Sequence, residues 1–514
     1  MAGWPSGEAG ISEKGMSSGI AQRSTGTRVL YAALSVLLLQ VAVENTAVAS
    51  EEPTRGVCGT TVGVPSAPEG AQVVDPGTDL TDKTRFSPPG TTFWLSPGEH
   101  HLSPDQFGQV MPKDGNVYLG APGAVLNGRG INRAAFTTSA KDVVIRGLTI
   151  RGFVAERDQG VVNHDSGERW TIEGNVIEDN DGAGMMTGSG QRVIGNCLRN
   201  NGQYGINAYR FGGGLADLVI EGNEISGNNT GDWETKIPGC GCSGGAKFWA
   251  VNGADITGNW VHHNHGVGLW ADTNNNDFLI QDNLIEDNAS EGLFYEISYN
   301  LELIGNTFNR NALVQGRNRA AKGDNFPVAA VYLSESGGEP RLPARTSRID
   351  IRGNMFSDNW SGITLWENAD RFCNSPANTS TLSCTALVSP TSSCSDPGIA
   401  TEPLYGDCRW KTQRVSVHEN TFEFDSSMEG CLGMCGRMAV LSNYGTFPAW
   451  SPYRGAVISE AITFRQENRW YDNQYYGPWT FVAHDTSRRL TAAQWQAAPY
   501  LQDTCSGFGE TVTC

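Results

Sequence analysis

The stretch Asn259-Trp-Val-His-His-Asn264-His-Gly-Val-Gly268-Leu-Trp-Ala-Asp272 is answered 24 residues later by Asn283-Leu-Ile-Glu-Asp-Asn288-Ala-Ser-Glu-Gly292-Leu-Phe-Tyr-Glu296. Each copy holds an Asn, a short strand centred on an aliphatic residue, a second Asn, a turn, a glycine and a second alternating strand. The same Asn-to-Asn phrase recurs at Asn175–Asn180, Asn196–Asn201, Asn223–Asn228, Asn306–Asn311 and Asn354–Asn359. The clean intervals are 21, 24 and 23 residues, and the longer ones of 27, 36 and 48 hold insertions. A third alternation precedes each phrase, as in Trp170-Thr-Ile-Glu, Leu218-Val-Ile-Glu and Ile349-Asp-Ile-Arg.

A repeat of about 20–50 residues indicates a solenoid or a propeller. A propeller blade needs four antiparallel strands in about 40–45 residues, roughly twice what is available here. The L-x-x-L-x-L phrase of leucine-rich repeats is absent, and no helical periodicity appears. Two or three strands of three to five residues per unit describe one coil of a parallel β-helix. Each coil buries its aliphatic face only by stacking on the next. The Asn after each strand is expected to form an interior ladder and to accept the left-handed turn conformation.

Composition agrees. The 514 residues include 63 glycines, 14 Trp, 14 Tyr and 19 Phe, a turn-rich and core-forming content that excludes intrinsic disorder. With 37 basic and 55 acidic residues the net charge is −18, which argues against a nucleic-acid partner. Arg23 and Arg28, an apolar run from Val29 to Val43, and Ala47-Val48-Ala49 read as a secretory signal peptide over residues 1–49, cleaved after Ala49. The run is shorter than the ~20 residues a membrane anchor needs, so no membrane association is expected after cleavage. Met16 is an alternative start. Twelve cysteines suit an oxidising destination, and no C-x2-C pair is followed by a second pair or a His pair, so disulfides are favoured over zinc.

Here the chain resembles the secreted right-handed parallel β-helix proteins of the pectate-lyase-like superfamily. The resemblance runs from about Thr92 to Asn473. The phrases Gly245-Ala-Lys-Phe-Trp, Asn259 to Asp272 and Gly292 to Asn300 look like those of an actinobacterial-type subgroup. It implies an all-β solenoid and, as a class only, proteins that cut, eliminate or epimerise polysaccharides. The expected layout is a lead-in over 50–91, the solenoid over 92–473 with a disulfide-rich insertion at 368–412, and a capping segment over 474–514. Within the cap, Thr491-Ala-Ala-Gln-Trp-Gln-Ala is a helical patch that would close the open end.

Alignment on the post-turn glycine yields a column. Alternate strand residues share a face, so Leu269/Ala271 and Leu293/Tyr295 face inward. The second outward position reads Asn207, Lys247, Trp270, Phe294, Tyr332 and Thr364. The fourth reads His164, Tyr209, Trp249, Asp272, Glu296, Ser334 and Trp366. Aromatic rings beside carboxylates suit sugar recognition, because ring faces pack on C–H groups while hydroxyls need polar partners. Asn207, Tyr209, Trp249, Trp270, Phe294 and Trp366 are therefore the expected substrate contacts. The bland alternative is that the rings pack beneath an insertion.

Asp272 and Glu296 are the expected catalytic pair. On adjacent strands about 4.8 Å apart, two carboxylates repel and one pKa should rise, as a general acid requires. Glu296, beside Phe294, is the expected acid. Such spacing suits a retaining mechanism, although side-chain splay leaves the stereochemistry open. Lys247 would orient substrate, serve as a lyase base or neutralise Asp272. His265 is the best proton-transfer candidate of the triplet His262, His263 and His265. No metal is assigned, though Asp272-Thr-Asn-Asn-Asn-Asp277 has the alternating oxygens of a calcium loop without its glycine. The leading expectation is a glycoside hydrolase acting on a polysaccharide. A uronate lyase or epimerase is second, with the overall negative charge against it. A non-catalytic glycan-binding solenoid or adhesin is third. Oligomeric state is not encoded in any feature found.

Overall fold

A strand of three residues such as Thr171–Glu173 buries a single central isoleucine, far too little to stand alone. The chain solves this by repetition. The computed structural model describes residues 56–509 except 61, 379, 381–383, 390, 444, 456, 457 and 459, together with 511 and 512. The expected signal peptide lies outside the described residues. Strands stack in register into three sheets of 13, 14 and 11 strands, here called first, second and third. Their strands pair in parallel except for two terminal antiparallel pairs, and the chain visits the sheets in turn. The fold is a right-handed parallel β-helix.

Register is one-to-one across coils. Ile172, Val193, Ile220, Ile256, Ile280 and Leu303 form one interior column. In the second sheet the equivalent column ends in rings: Phe308, Phe356, Phe422, Tyr475 and Phe508 stack at 4.7–5.0 Å. Each buried aliphatic residue is worth about 1.5–3 kcal/mol.

Two asparagine ladders line the turns. One climbs from Asn175 through Asn196, Asn223, Asn259, Asn283, Asn306, Asn354 and Asn420 to Asn473, each Nδ2 donating to the next Oδ1 at 2.9–3.1 Å. The other joins Asn180, Asn201, Asn228, Asn264, Asn288, Asn311 and Asn359 at 2.9–3.0 Å. One detail differs from expectation. The left-handed conformation falls on the residue before the ladder Asn, as at Gly174, Gly195, Gly222, Asp282 and Asp287, leaving Asn free to serve as the hydrogen-bonding rung. The post-turn glycine has a steric cause. A Cβ at Gly268 would lie 2.6 Å from the Gly292 carbonyl and 3.0 Å from the Asn288 amide.

The parallel ladders extend past the expected limits at both ends. Gln72–Val74 already pairs with Thr92–Leu95, and Gln474–Tyr476 and Thr480–His484 continue the stack beyond 473. A helix at Leu80–Phe86, capped by the Asp79 side chain, lies between these first two strands. At the other end Thr491 and Gln494 form a capping box on helix Ala492–Gln496, which seats Trp495 against Phe481 and Trp470. Disulfides join Cys58–Cys197, Cys240–Cys242, Cys373–Cys384, Cys394–Cys408 and Cys431–Cys435, and Cys505 is also bonded. Among the described residues no helix is long and apolar enough to cross a membrane.

Candidate functional site

The third sheet brings the expected outward column together. Asn207, Lys247, Trp270, Phe294, Tyr332 and Thr364 are successive register partners. Trp249 pairs with Asp272, and Glu296 with Ser334 and then Trp366. Because Ala271 pairs with Tyr295, Asp272 and Glu296 follow at one level on neighbouring strands. His164 does not fit the fourth position. Its strand ends at Val162, the partner of Met185, and a positive φ at Asn163 turns the chain away.

Lys247 Nζ sits 3.1 Å from Asp272 Oδ2 and 4.2 Å from the centre of the Trp270 ring, and also donates to the Gly241 carbonyl. Thr273 donates to Asp272 Oδ1 from both its backbone N–H and its hydroxyl, each at 2.7 Å. Burial works to raise the Asp272 carboxyl, but Lys247, Thr273 and Arg371 outweigh it and hold it below the usual carboxylate range. Glu296 accepts from Trp270 Nε1 at 3.1 Å on one oxygen and from Arg371 at 2.5 Å on the other. Trp270, Phe294 and Tyr332 stack at 5.0 and 4.6 Å, closing the gaps between rungs.

Two members of the cluster escaped the sequence reading. Arg371 lies in the disulfide-stapled insertion, bridging Glu296 and, at 3.5 Å, Glu335. Nothing in the repeat indicates where an insertion residue lands. Glu335 follows Ser334 at a positive φ, so the alternation placed its neighbour, not it, in the column. Its carboxyl is 1% exposed and accepts from the Asn368 N–H and the Ser334 hydroxyl. Burial, reinforced by Glu296 and only partly offset by Arg371 and Ser334, pushes it up to about 7. Burial likewise raises Glu291, with Glu296 adding to the effect.

The column is roofed. The Cys240–Cys242 loop presses on Trp270, since a Cβ at Gly241 would lie 2.8 Å from that ring. The insertion reaches the strand end through Ser380 on Thr273 and the Cys384 carbonyl on Asn274. As a result the side chains of Lys247, Asp272, Glu296 and Arg371 are only 11–14% exposed. Packing beneath an insertion therefore accounts for part of the aromatic column. Tyr209 and Trp249 meet edge-on at 6.4 Å and stay half-buried, as does Trp366 near Phe326. Asn207 is buried and spends its amide on the Asp158 carbonyl.

His265 stands apart, exposed in the turn between the second and third sheets, and among the described residues only its backbone is engaged. His262 instead stacks on Trp260 and pairs with Glu224. The oxygens of 272–277 diverge to separate protein partners: Asn274 to Trp410, Asn276 to Asn300 and Asp277 to Arg345. They do not converge as calcium ligands do.

A right handed beta helix region is recognised at residues 159–339, the coils that carry this column. Structural likeness extends to the A-module of the mannuronan C-5 epimerase AlgE4 of Azotobacter vinelandii, at 14% identity over 68% of this chain and 92% of that one, with a TM-score of 0.37. The catalytic unit of the thermostable GH87 alpha-1,3-glucanase of Streptomyces thermodiastaticus strain HF3-3 gives 14% identity, 83% and 69% coverage, and a TM-score of 0.45. These likenesses concern the fold. Comparison with curated protein sequences gives no match.

Proposed function

We propose that the chain is a secreted, polysaccharide-processing β-helix protein whose chemistry is glycosidic hydrolysis by Asp272 and Glu296. The observation that supports this most is their level placement on neighbouring strands, between the cations Lys247 and Arg371 and beside the Trp270–Phe294–Tyr332 rings. Asp272, held ionised, would stabilise or trap the oxocarbenium-like centre. Glu296 would pass a proton to the leaving oxygen and take one back from the water that completes hydrolysis. A sugar reaching this pair must displace part of the roof. Lys247 is a poor base for elimination or epimerisation, because its ammonium is already held by Asp272, Gly241 and the Trp270 ring.

The low exposure of both carboxylates favours a second reading, a glycan-binding solenoid without chemistry. One assay separates the readings. The protein from Ser50 onward is incubated with neutral and uronate polysaccharides while reducing ends and unsaturated uronate are followed. Hydrolysis predicts reducing ends without unsaturation, lost in Glu296→Gln and Asp272→Asn. Unsaturated product would overturn it in favour of a lyase. Retained glycan binding with no product from any substrate would favour the binder.

A further inference from the structure

A second recess opens on the outer face of the first sheet, near the C-terminal end of the stack. It is built by the same register logic as the column but from different residues. His418 and Tyr471 are partners on adjacent coils, and their rings stack at 4.7 Å and 7°. The next position in that ladder is Thr504. A threonine side chain is too small to cover a phenol, so the stack ends on an aromatic face. Around it lies a groove of about 1120 Å³, a size that holds small ligands. One wall carries Phe464 and Tyr500, which stack on each other at 5.8 Å.

The charges in this groove are unequally satisfied. Asp350 is taken by His418 at 2.9 Å and Arg352 at 3.0 Å, and Glu467 faces Arg348 at 3.8 Å. Arg465 and Arg469 are exposed, and among the described residues neither side chain has a hydrogen bond or ion pair. Asp472 is the one lining carboxylate in the same condition. The lining charges balance in number, Arg348, Arg465 and Arg469 against Asp350, Glu467 and Asp472, but Asp350 and Glu467 are engaged while the Arg465 and Arg469 guanidinium groups stay open to an incoming anion. Arg469 and Tyr471, two residues apart on one strand, point to the same side.

We propose that this groove binds an anionic sugar, a uronate unit of a polysaccharide, with its ring on Tyr471 and its carboxylate met by Arg469 and Arg465. A planar fork of N–H donors beside an aromatic plate is matched to a carboxylate carried on a saturated ring. The site is on a different sheet from Asp272 and Glu296, so it stands whether or not that pair is catalytic.

The test is calorimetric titration of the full secreted chain with trigalacturonate, with neutral galactotriose and with AMP. Saturable trigalacturonate binding is expected, weaker by about tenfold in Arg469→Gln and in Tyr471→Ala, a loss of about 1.4 kcal/mol in each. Arg465→Gln should weaken it in the same direction, whereas Arg192→Gln, on the same sheet many coils away, should not. Unchanged melting temperatures would show that the variants fold. Absence of trigalacturonate binding, equal binding of galactotriose, tighter binding of AMP, or indifference to Arg469→Gln and Tyr471→Ala would each overturn the proposal.

Discussion

Glu335 carries the clearest pH signature in the molecule. Its carboxyl is raised in the fold to about 7, above the ordinary value of about 4.3. Its contribution is therefore fully present below the unfolded value and is lost as pH rises through 7, by about 4 kcal/mol at most. The expected outcome is that wild type loses stability between about pH 5 and pH 8 while Glu335→Gln, neutral throughout, loses less. Urea midpoints at the two pH values measure this, and parallel curves would assign the group no such part. Lys247 and Asp272 make the opposite case, a buried ion pair. Asp272→Asn leaves the ammonium without a counter-charge and should cost about 3–5 kcal/mol, whereas Lys247→Met with Asp272→Leu should recover most of that in chemical denaturation.

Among elements, the asparagine ladders are the most exacting. Asn259 accepts from Asn223 and donates to Asn283 and to the Ile220 carbonyl, so Asn259→Ala orphans groups on both neighbouring coils. At about 1–3 kcal/mol per buried unsatisfied group, it should rank among the most destabilising single changes, as thermal melts will read. Three rungs also open glycosylation sequons, Asn228-Asn-Thr230, Asn288-Ala-Ser290 and Asn359-Trp-Ser361; at most 2% exposed, these asparagines should be found bare by mass spectrometry of protein from a glycosylating host. The insertion over 368–412 is held by two small covalent loops and delivers Arg371. Mild reduction should expose this segment to protease before the coils, and abolish whatever activity depends on Glu296. The site was legible only where strand alternation holds. From the glycine onward, position in the sheet follows from counting, which is why Lys247, Trp270, Asp272, Phe294 and Glu296 fell into place. Counting fails at a left-handed residue, as at Glu335, or just after one, as at His164, and within insertions, as for Arg371. His265 belongs to a turn, whose side chains the repeat does not aim.

For the whole molecule, the fold was readable because one phrase repeats with buried polar rungs, and a repeat states its own neighbours. The ends were not, since the first and last coils lack the phrase and are recognised only by pairing. Yet the ends govern solubility. Removing 485–514 would bare Trp470, Tyr475 and Phe481, and light scattering should report association of the truncated chain. The Cys58–Cys197 bond reaches furthest of the five disulfide pairs described above, tying residues 139 apart. Mechanically it is a shunt. Tension applied between Cys58 and the C-terminal cap bypasses the early coils, which would otherwise peel away one after another like turns of a spring. Stretched under oxidising conditions, the chain should yield about 460 Å less length than the Cys58→Ser/Cys197→Ser variant, at about 3.3 Å for each of the 139 residues kept out of the load path.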